Sequence, residues 1–249
     1  LPAPFRAFDQ LGFTFRRGGF VLIVAGPGTG KSALGLACGL RFKVPGMVFS
    51  ADSDAFEQST RAFCMETGED RKVGERFARG LLEESEKDLA DRMAGIPIRF
   101  NYDASPTLDT INTTMEAFDE LYGEYPFWTL VDNVTNVQNG TADNAENPFG
   151  GLETFMEYLN TMARNTQTCV IGLHHTLGQY NDGLDPIPLS GVKGQITRVP
   201  PQVLTLFRPD DAQLGISVVK NRGGRADPSG RRYALLDFEG STMTIKDPD

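Results

Sequence analysis

Uninterrupted apolar runs punctuate the first two thirds of the chain: FVLIVA (Phe20 to Ala25), GMVFSA (Gly46 to Ala51), FWTLVD (Phe127 to Asp132) and TCVIGL (Thr168 to Leu173). A strand with one wet face alternates apolar and polar side chains. Runs that do not alternate are those of strands covered on both faces, as in a parallel sheet flanked by helices. Between the runs the apolar spacing lengthens to three and four, which predicts helices over Lys31 to Phe42, Asp54 to Glu66, a charged stretch from Glu83 to Met93, Leu108 to Tyr122, and Leu152 to Arg164.

Beyond Leu189 the rhythm changes. VLTLF (Val203 to Phe207), GISVVK (Gly215 to Lys220) and YALLDF (Tyr233 to Phe238) follow one another closely, separated by Pro, Gly and Asp turns, and read as antiparallel strands. The predicted fold is therefore α/β: a mainly parallel central sheet, helices on both faces, and an antiparallel carboxyl-terminal extension. Its 249 residues are expected to form one domain, residues 1–249, large enough to bury a substantial core. Two polar stretches, Asn136 to Gly151 and Gly178 to Pro201, are long for loops, and both follow the carboxyl end of a strand, where open α/β sheets bind ligands.

Charge refines this outline. The net charge of -9 argues against a protein that coats nucleic acid or an anionic membrane through bulk charge. The distribution is uneven. Phe100 to Ala163 holds eleven acids and no Lys or Arg, whereas Ile216 to Tyr233 holds Lys220, Arg222, Arg225, Arg231 and Arg232 against Asp227 alone. Cys38, Cys64 and Cys169 are odd in number and widely spaced, so neither a disulfide framework nor a zinc knuckle is expected, and a reducing cytoplasm is the natural compartment. No run approaches the about 18 to 20 apolar residues of a membrane span, and LPAPFRAFDQLGF lacks the basic-then-apolar order of a signal peptide. The chain opens on Leu1 rather than Met, as a trimmed chain or a fragment would.

The strongest chemical signal is AGPGTGKS, Ala25 to Ser32, which follows a predicted strand and opens a predicted helix. It matches the phosphate-binding P-loop except that Ala25 takes the place of the first Gly. In such a loop Gly26, Gly28 and Gly30 let backbone amides turn toward phosphate oxygens, with Pro27 and Thr29 between them in the same cofactor-binding loop, Lys31 supplies a positive charge, Ser32 is placed to coordinate magnesium, and Ala33 continues into the helix. A second carboxylate is needed to hold a magnesium-bound water. Asp132, at the end of FWTLVD, is the candidate Walker B residue. ATP and Mg²⁺ are the ligands this pair calls for.

Several spacings together resemble the RecA-like core of the DnaB-type hexameric replicative helicases, in a phage or plasmid branch. FDQLGFTFRRGGFVLIVAGPGTGKS is similar to that family's approach to its P-loop, and IPIRFNYDASPTLDTI to its strand and turn before the helix that leads to Walker B. The resemblance implies an ATP- and magnesium-dependent motor on single-stranded or forked DNA, a helicase in replication or repair, built as a homo-oligomeric ring, a hexamer, with ATP sites between subunits. It implies no membrane partner, and the length leaves no room for the amino-terminal collar of full replicative helicases.

The resemblance also assigns residues. The family's second strand ends in a Glu that activates the attacking water, and FSADSDAFEQ places Asp52 there, with Asp54 and Glu57 as weaker candidates. Asp is one methylene shorter, so slow or gated hydrolysis is expected. His174 and His175 stand where the family senses the γ-phosphate. Lys193, Gln195 and Arg198, in SGVKGQITRVPPQ, would face a central channel and touch the DNA backbone, and Phe149 is the one plausible base contact of the earlier loop. KNRGG resembles the strand end that reaches a neighbour's ATP, with Lys220 and Arg222 as trans-acting bases and Arg225 left for DNA. Two other readings remain open: a metal-dependent, structure-selective DNA nuclease on the same core, using Asp52, Asp54, Asp132 and a histidine, and a recombinase-like or clock-like DNA-binding ATPase that does not unwind.

Overall fold

A computed structural model describes residues 1–137, 150–194 and 196–249. Among these residues nine strands form one sheet: β1 (Phe20–Ala25), β2 (Gly46–Ser50), β3 (Ile98–Asn101), β4 (Trp128–Asp132), β5 (Cys169–His175), β6 (Gln202–Asp210), β7 (Gln213–Asn221), β8 (Tyr233–Glu239) and β9 (Thr244–Lys246). Their order across the sheet is β3-β2-β4-β5-β1-β6-β7-β8-β9. The first six pair in parallel, and β6 through β9 pair antiparallel, as the two rhythms of the sequence predict. No helix among the described residues is long and apolar enough to cross a membrane.

The α-helices that accompany the sheet are α1 (Arg6–Leu11), α2 (Lys31–Phe42), α3 (Ala55–Thr67), α4 (Arg71–Ala78), α5 (Lys87–Ala94), α6 (Leu108–Tyr122) and α7 (Gly150–Thr166). Successive residues of β1 face opposite layers. Val21, Ile23 and Ala25 join α2 and the amino-terminal phenylalanines in one cluster. Phe20, Leu22 and Val24 join Ile111 and Met115 of α6 and Phe155, Met156 and Leu159 of α7 in the other. Both faces of β1, β2, β4 and β5 are thus dry, which is why their sequences do not alternate, whereas β3 at the edge exposes Arg99.

The sequence reading gives no element to the short α1 or to β9, and it differs from the structure most in the charged segment before β3. The charged stretch predicted as a helix from Glu83 to Met93 divides into a 3-10 turn, Glu84–Glu86, and α5, while α4 lies upstream of it in a segment given no element. Neither α5 nor the 3-10 turn buries a residue, and α4 buries only Gly74; Val73 and Phe77 of α4 and Leu89 and Met93 of α5 recur at helical spacing but are only half-buried. Local chemistry starts α4 instead: the Asp70 carboxylate accepts from the Lys72 and Val73 amides at 2.8 and 3.1 Å.

Candidate active site

Ala25 explains the departure from the P-loop pattern. It is the last residue of β1, paired with His175 of β5, and stays in extended backbone where no glycine is required. The turn proper falls on the residues that follow. Gly28 and Gly30 have φ of 73° and 109°, in the left-handed region that side chains resist, and Gly30 caps α2. A Cβ on Gly26 would stand 2.9 Å from the Asn181 carbonyl oxygen, because residues 180–183 lie against the P-loop. The α2 amino terminus consequently opens at the carboxyl ends of the parallel strands, with Lys31 only 8% exposed.

Alternation along the strands carries the remaining groups to this end. Leu130 of β4 belongs to the α2-side cluster and Val131 to the other, so Asp132 turns toward α2. There it lies within the influence of the Ser32 hydroxyl and the Lys31 charge. Burial pushes the Asp132 carboxyl above its ordinary range, opposed by these two groups. Its Oδ1 is buried without a hydrogen-bond partner, an arrangement that a cation or a cation-bound water would satisfy. The donor set of Ser32 and Asp132 therefore fits magnesium.

The two histidines of β5 separate by the same alternation. His174 is buried, and its Nε2 meets the Lys193 carbonyl oxygen at 2.9 Å. Burial pulls it down to about 4, so the ring is neutral at pH 7. His175 emerges on the α2 side, half-buried, with Nε2 2.6 Å from Asn133 Nδ2. Burial, then the Lys31 charge, also lowers its pKa. His175 is thus the one on the α2 side and bonded to the residue after Asp132, while the Lys31 charge reaches both rings.

Asp52 lies two residues beyond β2, exposed, and accepts from Asn136 Nδ2 at 2.7 Å. The other acids of that stretch are occupied. Asp54 caps α3 by accepting from the Glu57 amide at 2.9 Å, and Glu57 is held by Arg71 at 2.7 Å, which lowers its pKa. Among the described residues no three His, Cys, Asp or Glu side chains converge to hold a metal, so the acids named for a nuclease do not assemble into its cluster.

Residues 178–194 fold back to the tip of β5, bridging Thr176 to Val192. Lys193 and Arg198 are exposed, as is Arg225, while Gln195 and Phe149 lie outside the described residues. A short 3-10 turn, Ile196–Arg198, meets the end of β7. Lys220 Nζ donates to the Thr197 carbonyl and, at 3.1 Å, to that of Arg198, which Arg222 Nη2 also engages at 2.9 Å. The pair therefore acts on one spot, although Arg222 stands just past the strand rather than on it.

Sequence reasoning assigns no role to Arg208 or to the asparagines after Asp132. A cleft of about 420 Å³ adjoins the P-loop, lined by Pro27, Gly28 and Thr29 together with Leu184, Arg208 and the carboxylates of Asp182, Asp210 and Asp211. The Arg208 guanidinium lies 4.5 Å over the Phe238 ring. Its separation from the P-loop by nearly 180 positions leaves no local signal to find it.

No protein-family model matches the chain. Solved structures share its fold: an ATPase domain (TM-score 0.84, 18% identity, all of this chain and 91% of that one) and a DnaB-like replicative helicase studied with primase (TM-score 0.84, 17% identity, all of this chain). The chain spans 62% of the latter's length. The RadB recombinase is more distant, at a TM-score of 0.62 and 15% identity, with both chains fully covered. The fold is the RecA-like ATPase fold in the form taken by DnaB-like helicase ATPase domains. In sequence, the chain is 50% identical to the gene 65 protein of Mycobacterium phage L5, over 99% of this chain and 92% of that protein, and 53% identical to the gene 65 protein of Mycobacterium phage D29, over 92% and 99%. By that identity across nearly the full length of both relatives, the chain belongs to the family of the mycobacteriophage gene 65 proteins.

Proposed function

We propose that this protein is an ATP-hydrolysing motor on single-stranded DNA, a helicase of the DnaB type, whose ATP sites form between subunits of a ring. The observation that carries the reading is the convergence of Lys31, Ser32, Asp132 and His175 at one end of the sheet, while Lys220 and Arg222 gather at the other. Phosphates are cradled by the backbone amides of Gly26 and of residues 28–33, and the nucleoside end enters the cleft beside Leu184 and Arg208. Ser32, and Asp132 through a bound water, would hold a magnesium ion, which neutralises charge on the transferring phosphate. Asp52 accepts a proton from the attacking water, and His175, neutral, contacts the γ-phosphate.

Lys193, Arg198 and Arg225 supply exposed positive charge for a DNA backbone. The mass of the protein in solution with and without ATP and magnesium, measured beside ATP turnover with and without single-stranded DNA and strand displacement on a fork, tests the whole reading. Assembly with DNA-stimulated turnover and displacement is expected. A monomer whose turnover ignores DNA would exclude the motor, and DNA-stimulated turnover without displacement would favour an ATPase that does not unwind. A Lys31→Ala protein that cuts DNA with magnesium and no ATP would restore the nuclease reading.

A further inference from the structure

The turn leaving β4 runs from Asn133 to Asn136, and both asparagine amides meet groups of the hydrolysis site. Asn133 meets His175, and Asn136 donates to Asp52 Oδ1 at 2.7 Å across 84 residues of sequence. The two bonded residues are where this chain departs from a Glu base and where it places a histidine at the strand tip. Asp52 needs such help more than a Glu would. Its side chain is one methylene shorter, and it stands in an exposed segment between β2 and α3, outside the regular backbone of either.

We infer that Asn136 is a positioning residue for hydrolysis: its amide fixes the Asp52 carboxylate through Oδ1 and leaves Oδ2 turned to the attacking water. The inference rests on the ATPase reading above. In the step it serves, the water oxygen bonds to the γ-phosphorus, its proton passes to Asp52 Oδ2, and the bond from phosphorus to the β–γ bridging oxygen breaks, releasing ADP. A hydrogen bond to one carboxylate oxygen costs some basicity but removes rotation about the Cβ–Cγ bond, and orientation is the larger effect when a side chain is short. The tether starts from β4, whose final residue, Asp132, belongs to the same site, so base and cation ligand share one rigid support.

Steady-state ATP kinetics of full-length Asn136→Ala, Asn136→Leu and Asn136→Gln, beside nucleotide-analogue binding and thermal melting, test this. Removing the donor in the Ala and Leu variants lowers kcat on the order of 10- to 100-fold, with KM, analogue affinity and melting midpoint unchanged. Asn136→Gln, which keeps an amide donor, recovers part of the rate, a rescue that a packing role would not give. Wild-type kcat in the Ala and Leu variants, under conditions where Asp52→Asn abolishes turnover, overturns this inference alone. Parallel loss of analogue binding and kcat overturns it too, by making Asn136 structural. Absence of turnover in the wild type, or full turnover in Asp52→Asn, overturns the hydrolysis reading and this inference with it.

Discussion

Lys31 and Lys220 stand at opposite ends of one sheet. Lys220 pairs with Val203, which pairs with Leu22 near the start of β1, whereas Lys31 follows the end of β1 at Ala25. Arg222 is further away still, bonded through its amide to the Pro201 carbonyl at the level of Phe20. From Phe20 to Ala25 the strand rises roughly 17 Å at about 3.3 Å per residue, more than an arginine side chain spans. Arg222 is thus out of reach of its own P-loop, and a part for it in hydrolysis would lie in another copy's site, whereas Lys220, level with Leu22, is about 10 Å of strand from Ala25.

That geometry makes complementation the decisive measurement. Arg222→Ala alone should lower DNA-stimulated turnover by about 10³-fold or more while sparing nucleotide binding to the single subunit. Mixing it with Lys31→Ala should restore part of the turnover, because the intact Arg222 of one variant then meets the intact P-loop of the other. Activity that stays absent at every mixing ratio would exclude shared sites.

Asp52 gives a sharper test through length. Replacement by Asn should abolish turnover and replacement by Glu should preserve or raise it, read as phosphate release at saturating ATP. Indifference to both changes would mean that another group takes the proton.

The P-loop backbone can be probed without touching charge. Gly30→Ala forces a side chain into φ of 109° at the first turn of α2, at a cost of roughly 1–2 kcal/mol. A melting midpoint lower by several degrees and weaker ATP binding are expected, whereas Ala33→Gly, inside the helix, should leave the phosphate cradle intact.

His174 predicts how stability depends on pH. Its folded pKa, about 4, lies below the ordinary 6.5, so the folded state binds fewer protons and stability falls as pH drops from 6.5 toward 4. From pH 7 to 5 the loss attributable to this ring is about 2 kcal/mol. Urea midpoints at the two pH values should show it, and His174→Gln should flatten the dependence.

Lys193 and Arg225 make a separable prediction about DNA. If each meets one phosphate of a single strand, Lys193→Ala and Arg225→Ala should each reduce the slope of log affinity against log salt by about 0.7, without altering ATP binding in the absence of DNA. Unchanged slopes would remove these residues from the DNA path.

Much of this architecture is legible along the chain. The helices at Lys31–Phe42 and Leu108–Tyr122 have the ends predicted for them, because a P-loop starts one and a Thr cap with a following glycine bounds the other. In the charged segment around residues 71–94 the apolar positions are few, Val73 and Phe77 in α4 and Leu89 and Met93 in α5, so the i, i+4 spacing is present but short, and the reading takes in α5 while passing over α4. Arg208 is invisible in sequence because its partners, Phe238 and the cleft beside Thr29, come together only through the antiparallel strands.

By itself the sequence determined the parallel strands, the phosphate loop and the aspartate that ends β4, since each depends on a short stretch whose neighbours along the chain set its conformation. Only the tertiary structure decided which histidine turns to the α2 side, which acids of FSADSDAFEQ cap a helix or bind an arginine, and which end of the sheet the bases of KNRGG occupy. Those answers depend on the face a side chain takes on a paired strand and on the end of the sheet that an antiparallel strand returns to. Both are fixed by register between segments far apart in sequence, which no local pattern records.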